Sequence, residues 1–150
     1  MKTLIIFTSI HHQNTIKIAE VMAKVLKAKL LKATKVNPKE VKKFALIGFG
    51  SGIYFGRHHQ DLFELLDKMP TFDNKKAFIF STRGSGPKTI YHQSLKNRLK
   101  QKGFQVVGEF SCSGWDTFGV LKIIGGIKKG HPDKSDLKKA EKFAKSLLIN

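Results

Sequence analysis

Short apolar runs alternate with stretches of helical periodicity along the whole chain. The runs are too short for helices and end in polar or glycine-rich residues, which is typical of strands buried in a parallel sheet. The predicted strands occupy residues 4–7, 30–36, 44–49, 77–80 and 104–110. Helical stripes that bury one face begin near Asn14, Leu62, Thr89 and Ser135. Five strands that alternate with helices predict an α/β fold whose parallel sheet is covered on both faces.

Length and composition fit one compact domain over residues 1–150. The 150 residues are 41% hydrophobic and 26% charged, which does not suit a disordered chain. Cys112 is the only cysteine, so no intrachain disulfide is expected, in keeping with a reducing cytoplasm. The apolar start of the chain is too short for a signal peptide, and no run of about 18 apolar residues predicts a membrane span. We expect a cytoplasmic protein without membrane insertion.

The chain is strongly basic, with a formal net charge of +17. Its cations are almost all lysines, and the arginines are only Arg57, Arg83 and Arg98. Proteins that read nucleic acids rely on arginine for bidentate and stacked contacts, and the lysines here are spread along the chain, so we expect no nucleic-acid partner. Two interpretations stay open: a solvated lysine-rich surface, or a charge that steers the protein toward an acidic protein partner.

Several familiar motifs are absent from the loops that follow the predicted strands, where a ligand of such a sheet would bind. No Walker sequence occurs. The glycine-rich run from Gly48 has Ile53 where a dinucleotide fingerprint needs its third glycine. Phe118 stands where a tyrosine-phosphatase loop beginning at Cys112 would need arginine. No zinc-ligand spacing is present either, so nucleotide, phosphatase and zinc sites lose their sequence support.

The loop at residues 8–15 combines hydroxyl, amide and imidazole side chains just before the first predicted helix. A helix N-terminus presents free backbone N–H groups and a partial positive charge, which favour an anion. The loop has no lysine and no metal-binding carboxylate, so it suits a phosphate that is held but not transferred. An ordinary capped helix would explain the same residues.

These loops resemble those of the flavodoxin family. The stretch T-S-I-H-H-Q-N-T-I-K-I-A-E is similar to the family's phosphate loop, although His11 and His12 replace its usual Thr-Gly. Residues 48–56, 81–86 and 108–119 are similar to further segments of small flavodoxin-like proteins. The resemblance implies a doubly wound five-stranded sheet of order 2-1-3-4-5 and a noncovalently bound FMN. Flavodoxins are generally acidic, so the basic charge puts the family's usual partner preference in doubt.

Carried over by residue, the resemblance assigns cofactor contacts to three loops and one later aromatic residue. The first loop would hold the phosphate, the second would pass beside the flavin N5 edge, and the third would bound the ring and ribityl chain. The assigned residues are Thr8, Ser9, His11, His12, Gln13, Asn14 and Thr15 in the first loop, Ser51, Gly52, Ile53, Tyr54 and Phe55 in the second, Ser81, Thr82, Arg83 and Gly84 in the third, and Trp115.

Aromatic residues in these loops fit a flavin independently of the resemblance, because a flavin ring needs flat apolar walls. Tyr54, Phe55 and Trp115 are the candidates, and each of them has packing within the protein as its alternative. The histidine pairs at residues 11–12 and 58–59 lack a carboxylate or thiol at ligand spacing, and adjacent side chains point apart. We therefore expect no metal site.

Three functions remain open. The first is an FMN-binding electron-transfer protein, a monomer that carries single electrons between soluble redox proteins, which could include acidic ones. The second is a flavin-dependent oxidoreductase acting on a quinone, porphyrinogen or haem-like substrate, with residues 111–132 as a pocket wall. The third is a basic binding module without flavin. The electron carrier is the function we predict, and we assign no catalytic residue.

Overall fold

A sheet with helices on both sides forms the centre of the computed structural model, which describes residues 1–9, 14–83, 88–113, 130 and 132–149. The strands are β1 (Thr3–Thr8), β2 (Lys29–Lys32), β3 (Leu46–Tyr54), β4 (Arg57–His58), β5 (Lys75–Arg83) and β6 (Phe104–Ser113). The helices are α1 (Asn14–Leu26), α2 (Gln60–Lys68), α3 (Lys88–Gln101) and α4 (Lys134–Ile149), and short 3-10 helices span Ala33–Lys35 and Pro38–Lys43.

The strand order confirms the predicted topology. The parallel strands lie in the order β2-β1-β3-β5-β6, and the short β4 pairs antiparallel with β3. When β4 is left out and the five parallel strands are numbered along the chain, their order in the sheet is 2-1-3-4-5. Its switch point lies at β1, between β2 and β3, and ligands of such sheets bind at the carboxyl ends of the strands on either side of the switch point.

Two apolar layers cover the sheet. On one face, α1 packs against α4, and side chains such as Met22 and Ala144 meet Phe78 and Phe80 of β5. On the other face, α2 and α3 pack over Ile79 and the neighbouring strand residues. Because successive side chains of a strand point to opposite faces, β5 serves both layers and reads as a continuous apolar run in the sequence.

Most of the glycine-rich segment at residues 48–56 belongs to a strand, whereas the sequence predicted a loop there. β3 continues to Tyr54, and its glycines lie beside phenylalanines of β5, Gly48 opposite Phe78 and Gly50 opposite Phe80. A Cβ atom at Gly50 would lie 2.1 Å from the Phe80 ring. These glycines therefore make room for buried rings of the next strand, a pairing that a single strand's sequence does not reveal.

Candidate functional site

The three loops assigned to a cofactor begin side by side at the carboxyl edge of the sheet. Thr8 of β1 is paired with Ser51 of β3, and Ser51 is paired with Ser81 of β5. Ser81 is in turn paired with Ser111 of β6. A row of four hydroxyl residues therefore crosses the sheet level with the end of β1 and near the carboxyl ends of the other strands, in the region where ligands of this fold class bind.

The start of α1 is fastened to two of these loops. The Ser9 hydroxyl oxygen accepts a hydrogen bond from the Ile16 N–H at 3.3 Å. The Thr15 and Thr82 hydroxyls are hydrogen-bonded at 3.0 Å, which ties the first turn of the helix to the end of β5. The first turn of α1, which begins at Asn14, carries no acidic residue. The partial positive charge of this helix end is therefore not offset by a carboxylate of its own first turn.

The second assigned loop forms a hairpin between β3 and β4. Ser51 is buried, and its hydroxyl donates to the Gly52 carbonyl at 2.6 Å and accepts from the His59 N–H at 2.9 Å. The Tyr54 ring lies edge-on to His59, with 5.3 Å between the ring centroids. Ile53 pairs with His58. The Ser51 side chain thus holds the hairpin against the start of α2. Ser51 itself would contact a ligand through its backbone groups.

The turn of the hairpin lies at Phe55 and Gly56, with φ angles of 50° and 80°. These are the positive values that a two-residue hairpin turn needs, and a phenylalanine adopts them at a cost in backbone strain. Phe55 is 89% exposed. Gly52 lies in β3 and does not have a positive φ. The left-handed backbone occurs at the tip of the hairpin instead.

The third loop leaves β5 after Arg83. Thr82 is buried by its contact with Thr15, and Arg83 is half-buried. Within the described part of the chain, the buried Nε atom of Arg83 has no hydrogen-bond partner. A buried guanidinium N–H without an acceptor is costly, so this group is suited to an anionic or carbonyl oxygen supplied by a ligand. The assigned residues His11, His12, Gln13, Gly84 and Trp115 lie outside the described residues.

A buried polar cluster beneath the third loop was missed from the sequence. The His92 ring of α3 is fully buried, with Nε2 2.7 Å from the Ser81 hydroxyl oxygen and Nδ1 3.1 Å from Glu109 Oε1. Lys96 donates to the other oxygen of Glu109 at 2.8 Å. The spacing of His92 from Leu95 and Leu99 is the signal that would place it on the inner face of α3. Its glutamate partner comes from another strand and has no local signal.

Charge is distributed unevenly in this cluster. Burial and the positive charge of His92 lower the pKa of His58 to about 3, although its Nε2 is hydrogen-bonded to the Phe80 carbonyl oxygen at 3.0 Å. Burial would raise the pKa of Glu109, but hydrogen bonds from Lys96 and His92 outweigh that effect and lower it. At neutral pH, His58 is therefore neutral and the Glu109 carboxylate is ionised.

The remaining candidate groups do not form a metal or thiol centre in the described structure. His58 lies under α3, whereas the Nδ1 atom of His59 accepts from the Asp61 N–H and caps α2. Among the described residues, no three histidine, cysteine or acidic side chains come together as metal ligands. Cys112 is buried at the end of β6, and burial raises its pKa to about 12, so the thiol stays protonated.

Comparison with known proteins decides the family. Residues 4–115 match the model of the flavodoxin domain. The chain belongs to the flavodoxin family. Members of this family bind flavin, typically FMN, and transfer electrons. An uncharacterized protein of Methanocaldococcus jannaschii is 51% identical over 151 residues, which cover the whole of both chains.

Solved flavodoxins show the same fold at low sequence identity. A flavodoxin from the domain Archaea is 15% identical with a TM-score of 0.73, and the match covers 99% of this chain and 97% of that one. Flavodoxin 2 from Bacillus cereus is 18% identical with a TM-score of 0.73, and the match covers 99% of each chain. None of the helices in the described part of this flavodoxin is long and apolar enough to cross a membrane.

Unpaired donors and aromatic surface in the described part of this flavodoxin are chemically suited to a flavin mononucleotide. The first turn of α1 lacks acidic residues, and the buried Arg83 Nε has no acceptor within the described residues, which suits an anionic, oxygen-rich ligand. Tyr54 and the exposed Phe55 ring supply flat apolar surface on the hairpin that leaves the same edge. The donor set and the aromatic surface occur together where the strands end.

Proposed function

We propose that this flavodoxin binds FMN noncovalently at the carboxyl edge of its sheet and carries single electrons between soluble redox proteins. The observation that carries the proposal is the register that puts Thr8, Ser51 and Ser81 side by side, so that the three assigned loops start together. The protein acts as one domain and as a monomer. Bound FMN would supply the redox chemistry, since its ring takes up and releases electrons.

The phosphate end of FMN is assigned to the start of α1. The Thr15–Thr82 hydrogen bond holds the helix end beside the third loop, and Ser9 caps the Ile16 N–H. The donors to the phosphate would come from the side chains of Thr8, Ser9, Asn14 and Thr15 and from the backbone of His11, His12 and Gln13. A phosphate held at a helix N-terminus needs no metal ion to offset its charge.

The flavin ring is assigned to the space between the hairpin and the third loop. Residues 51–55 would pass along its N5 edge, with Tyr54 or Phe55 against its face. Residues 81–84 and Trp115 would bound the rest of the ring and the ribityl chain. The exposure of Phe55 at the hairpin tip favours an electron carrier, because a redox partner can approach this edge without entering a pocket.

The phosphate assignment is tested by comparing FMN with riboflavin, which lacks the phosphate. We expect FMN to bind with a submicromolar Kd. The double substitution Asn14→Ala and Thr15→Ala should weaken FMN binding about 10- to 100-fold, the range for losing hydrogen bonds to a charged group, and riboflavin binding by less than about 3-fold. Fluorescence titration measures the Kd of both FMN and riboflavin.

Thr82→Ala is the matched control, because it breaks the same Thr15–Thr82 hydrogen bond from the other side. It should weaken FMN and riboflavin equally. Equal losses for the two ligands in the Asn14 and Thr15 variant would overturn the phosphate assignment. A reductive titration of the flavin-loaded protein tests the carrier: two separate one-electron steps are expected, whereas a single two-electron step with rapid turnover of a quinone would favour the oxidoreductase.

A further inference from the structure

A continuous chain of hydrogen bonds runs from the surface to the sheet edge beneath the third loop. It begins at Lys96 and Glu109, passes through the buried His92 ring, and continues to the Ser81 hydroxyl. Ser81 then donates to the Ser111 hydroxyl oxygen at 2.8 Å. These hydrogen bonds join α3, β5 and β6, and they end on two residues of the hydroxyl row near the carboxyl edge of the sheet.

The protons of this chain can be assigned from its donors and acceptors. A serine hydroxyl has one hydrogen, and that of Ser81 is directed at Ser111. Ser81 must therefore accept from His92 Nε2, which lies 2.7 Å away. The Glu109 carboxylate can only accept, so His92 Nδ1 also carries a hydrogen. A histidine that donates from both ring nitrogens is an imidazolium ion.

The surroundings supply the charge balance that a buried imidazolium needs. Glu109 provides the counter-charge from β6, and its carboxylate also holds Lys96 of α3. From β4, the His58 ring faces His92 with 4.9 Å between the ring centroids. The low pKa of His58 keeps it neutral, so it adds no second positive charge at neutral pH. A carboxylate partner and a neutral neighbour together permit a charge at a buried position.

We propose that His92 is a positioning residue whose Nε2 proton sets the direction of the Ser81–Ser111 hydrogen bond at the flavin-binding edge. When the ring gives up this proton, Nε2 becomes an acceptor and Nδ1 keeps its hydrogen toward Glu109. The Ser81 hydroxyl then turns to donate to His92, and Ser111 donates to Ser81. One proton leaves to solvent, and two hydroxyls exchange their roles as donor and acceptor.

The consequence for flavin binding rests on the proposed function. Ser81, in the last part of β5, is the first residue of the segment assigned to the flavin ring, and Ser111 lies next to it on β6. A reversal of their hydrogen bond changes which polar groups this edge offers to a ligand. The affinity for FMN should therefore depend on pH over the range in which His92 gains or loses its proton.

The first experiment observes the proton directly in flavin-free protein. The probe is nitrogen-15 NMR of protein labelled at histidine, because the two ring nitrogens have distinct shifts when protonated and when not. At pH 7, where most of a free histidine is neutral, both nitrogens of His92 should show protonated shifts, whereas His58 should show only one. A neutral His92 ring at pH 7 would overturn the proposal.

Two glutamate substitutions test the counter-charge. Glu109→Gln keeps an acceptor of the same shape but removes the negative charge, so the Nε2 signal of His92 should move to its unprotonated position at pH 7. Glu141→Gln is the matched control, since it removes a glutamate paired with a lysine, Lys145, on the exposed side of α4. It should leave the His92 signals unchanged. Unchanged His92 signals in Glu109→Gln would contradict the proposed charge balance.

The second experiment measures the Kd of FMN between pH 5.5 and 9 in the same proteins. We expect at least a 3-fold change in the wild type, centred at the pH where the His92 signals move, and both features should shift together in Glu109→Gln. A flat profile beside a titrating His92 would overturn the link to the flavin edge. If FMN does not bind at all, the proposed function fails, while the NMR result still decides the state of His92.

Discussion

Two buried histidines respond differently to surroundings that they share. His58 is hydrogen-bonded through Nε2 to the neutral Phe80 carbonyl oxygen, and burial is the main cause of its lowered pKa. His92 contacts Glu109 directly at 3.1 Å. A single carboxylate therefore decides which ring is charged, because the Coulomb attraction at hydrogen-bond distance offsets a large part of the cost of burying a charge.

The low pKa of His58 predicts a loss of stability in acid. The unfolded chain binds a proton at His58 near pH 6.5, whereas the folded protein resists protonation until about pH 3. Stability from this residue is thus complete above pH 6.5 and falls as the pH drops below it, by up to about 1.4 kcal/mol per pH unit. Urea unfolding between pH 7.5 and 4.5 measures the slope.

His58→Gln should flatten that slope, because glutamine does not titrate, even if the variant is less stable at pH 7. His59→Asn is the control: asparagine preserves the N-cap that His59 provides to α2, and the pH slope should match that of the wild type. The same steep slope in His58→Gln and in the wild type would show that another group causes the acid sensitivity.

At the scale of elements, the β3–β4 hairpin combines backbone strain with an exposed aromatic ring. Phe55 has a φ angle of 50° at the first turn position, where asparagine or glycine is the usual residue. Strain of this kind is often retained at binding sites and offset by contacts elsewhere. In the proposed complex, the Phe55 ring would supply apolar surface beside the flavin.

Phe55→Asn should therefore change stability and binding in opposite directions. Asparagine adopts a positive φ more readily, so we expect flavin-free protein to gain about 0.5–1 kcal/mol in thermal or urea unfolding. The affinity for FMN should fall at the same time. As a control, Gly56→Ala should lose about 1 kcal/mol, because its φ of 80° strains alanine although nothing lies within 4 Å of the new Cβ. If Phe55→Asn were less stable than the wild type, the backbone strain assigned to Phe55 would be refuted.

At the scale of the molecule, positive charge is widespread but not uniform. α4 carries lysines along its exposed side, including Lys138, Lys139 and Lys142. α2, on the opposite face of the sheet, carries the acidic residues Asp61, Glu64 and Asp67. The net charge of +17 thus produces a field with a weaker side, which can orient the protein as it approaches a charged partner.

If this field steers a redox partner, electron transfer with a small acidic iron–sulfur protein should slow as salt is added. The Debye length falls from ~30 Å at 0.01 M to ~8 Å at 0.15 M, and steered association slows steeply over this range. Stopped-flow absorbance gives the second-order rate constant. The control is reduction of the protein by an uncharged small molecule, whose rate constant should not change with salt. A rate constant independent of salt would leave the lysines as a solvated surface.

Local patterns were enough to predict the order of the elements and the parallel sheet. Apolar residues mark the buried positions. A strand buried on both faces is a continuous apolar run, such as residues 4–7, whereas a helix buried on one face has apolar residues at helical spacing, as in α1. The three loops at the sheet edge could also be predicted, since topology brings the carboxyl ends of parallel strands together. The roles assigned to their residues remain predictions.

Only the tertiary structure decided the features that depend on pairs of residues far apart in the chain. Gly50 looked like a loop residue because its partner, the Phe80 ring, belongs to another strand. Nothing in the sequence around Ser81 indicates its partners, His92 of α3 and Ser111 of β6, between which its hydroxyl is buried. Periodicity reports how much a residue is buried, whereas its partners, and therefore its protons and charge, are set by strand register and helix packing.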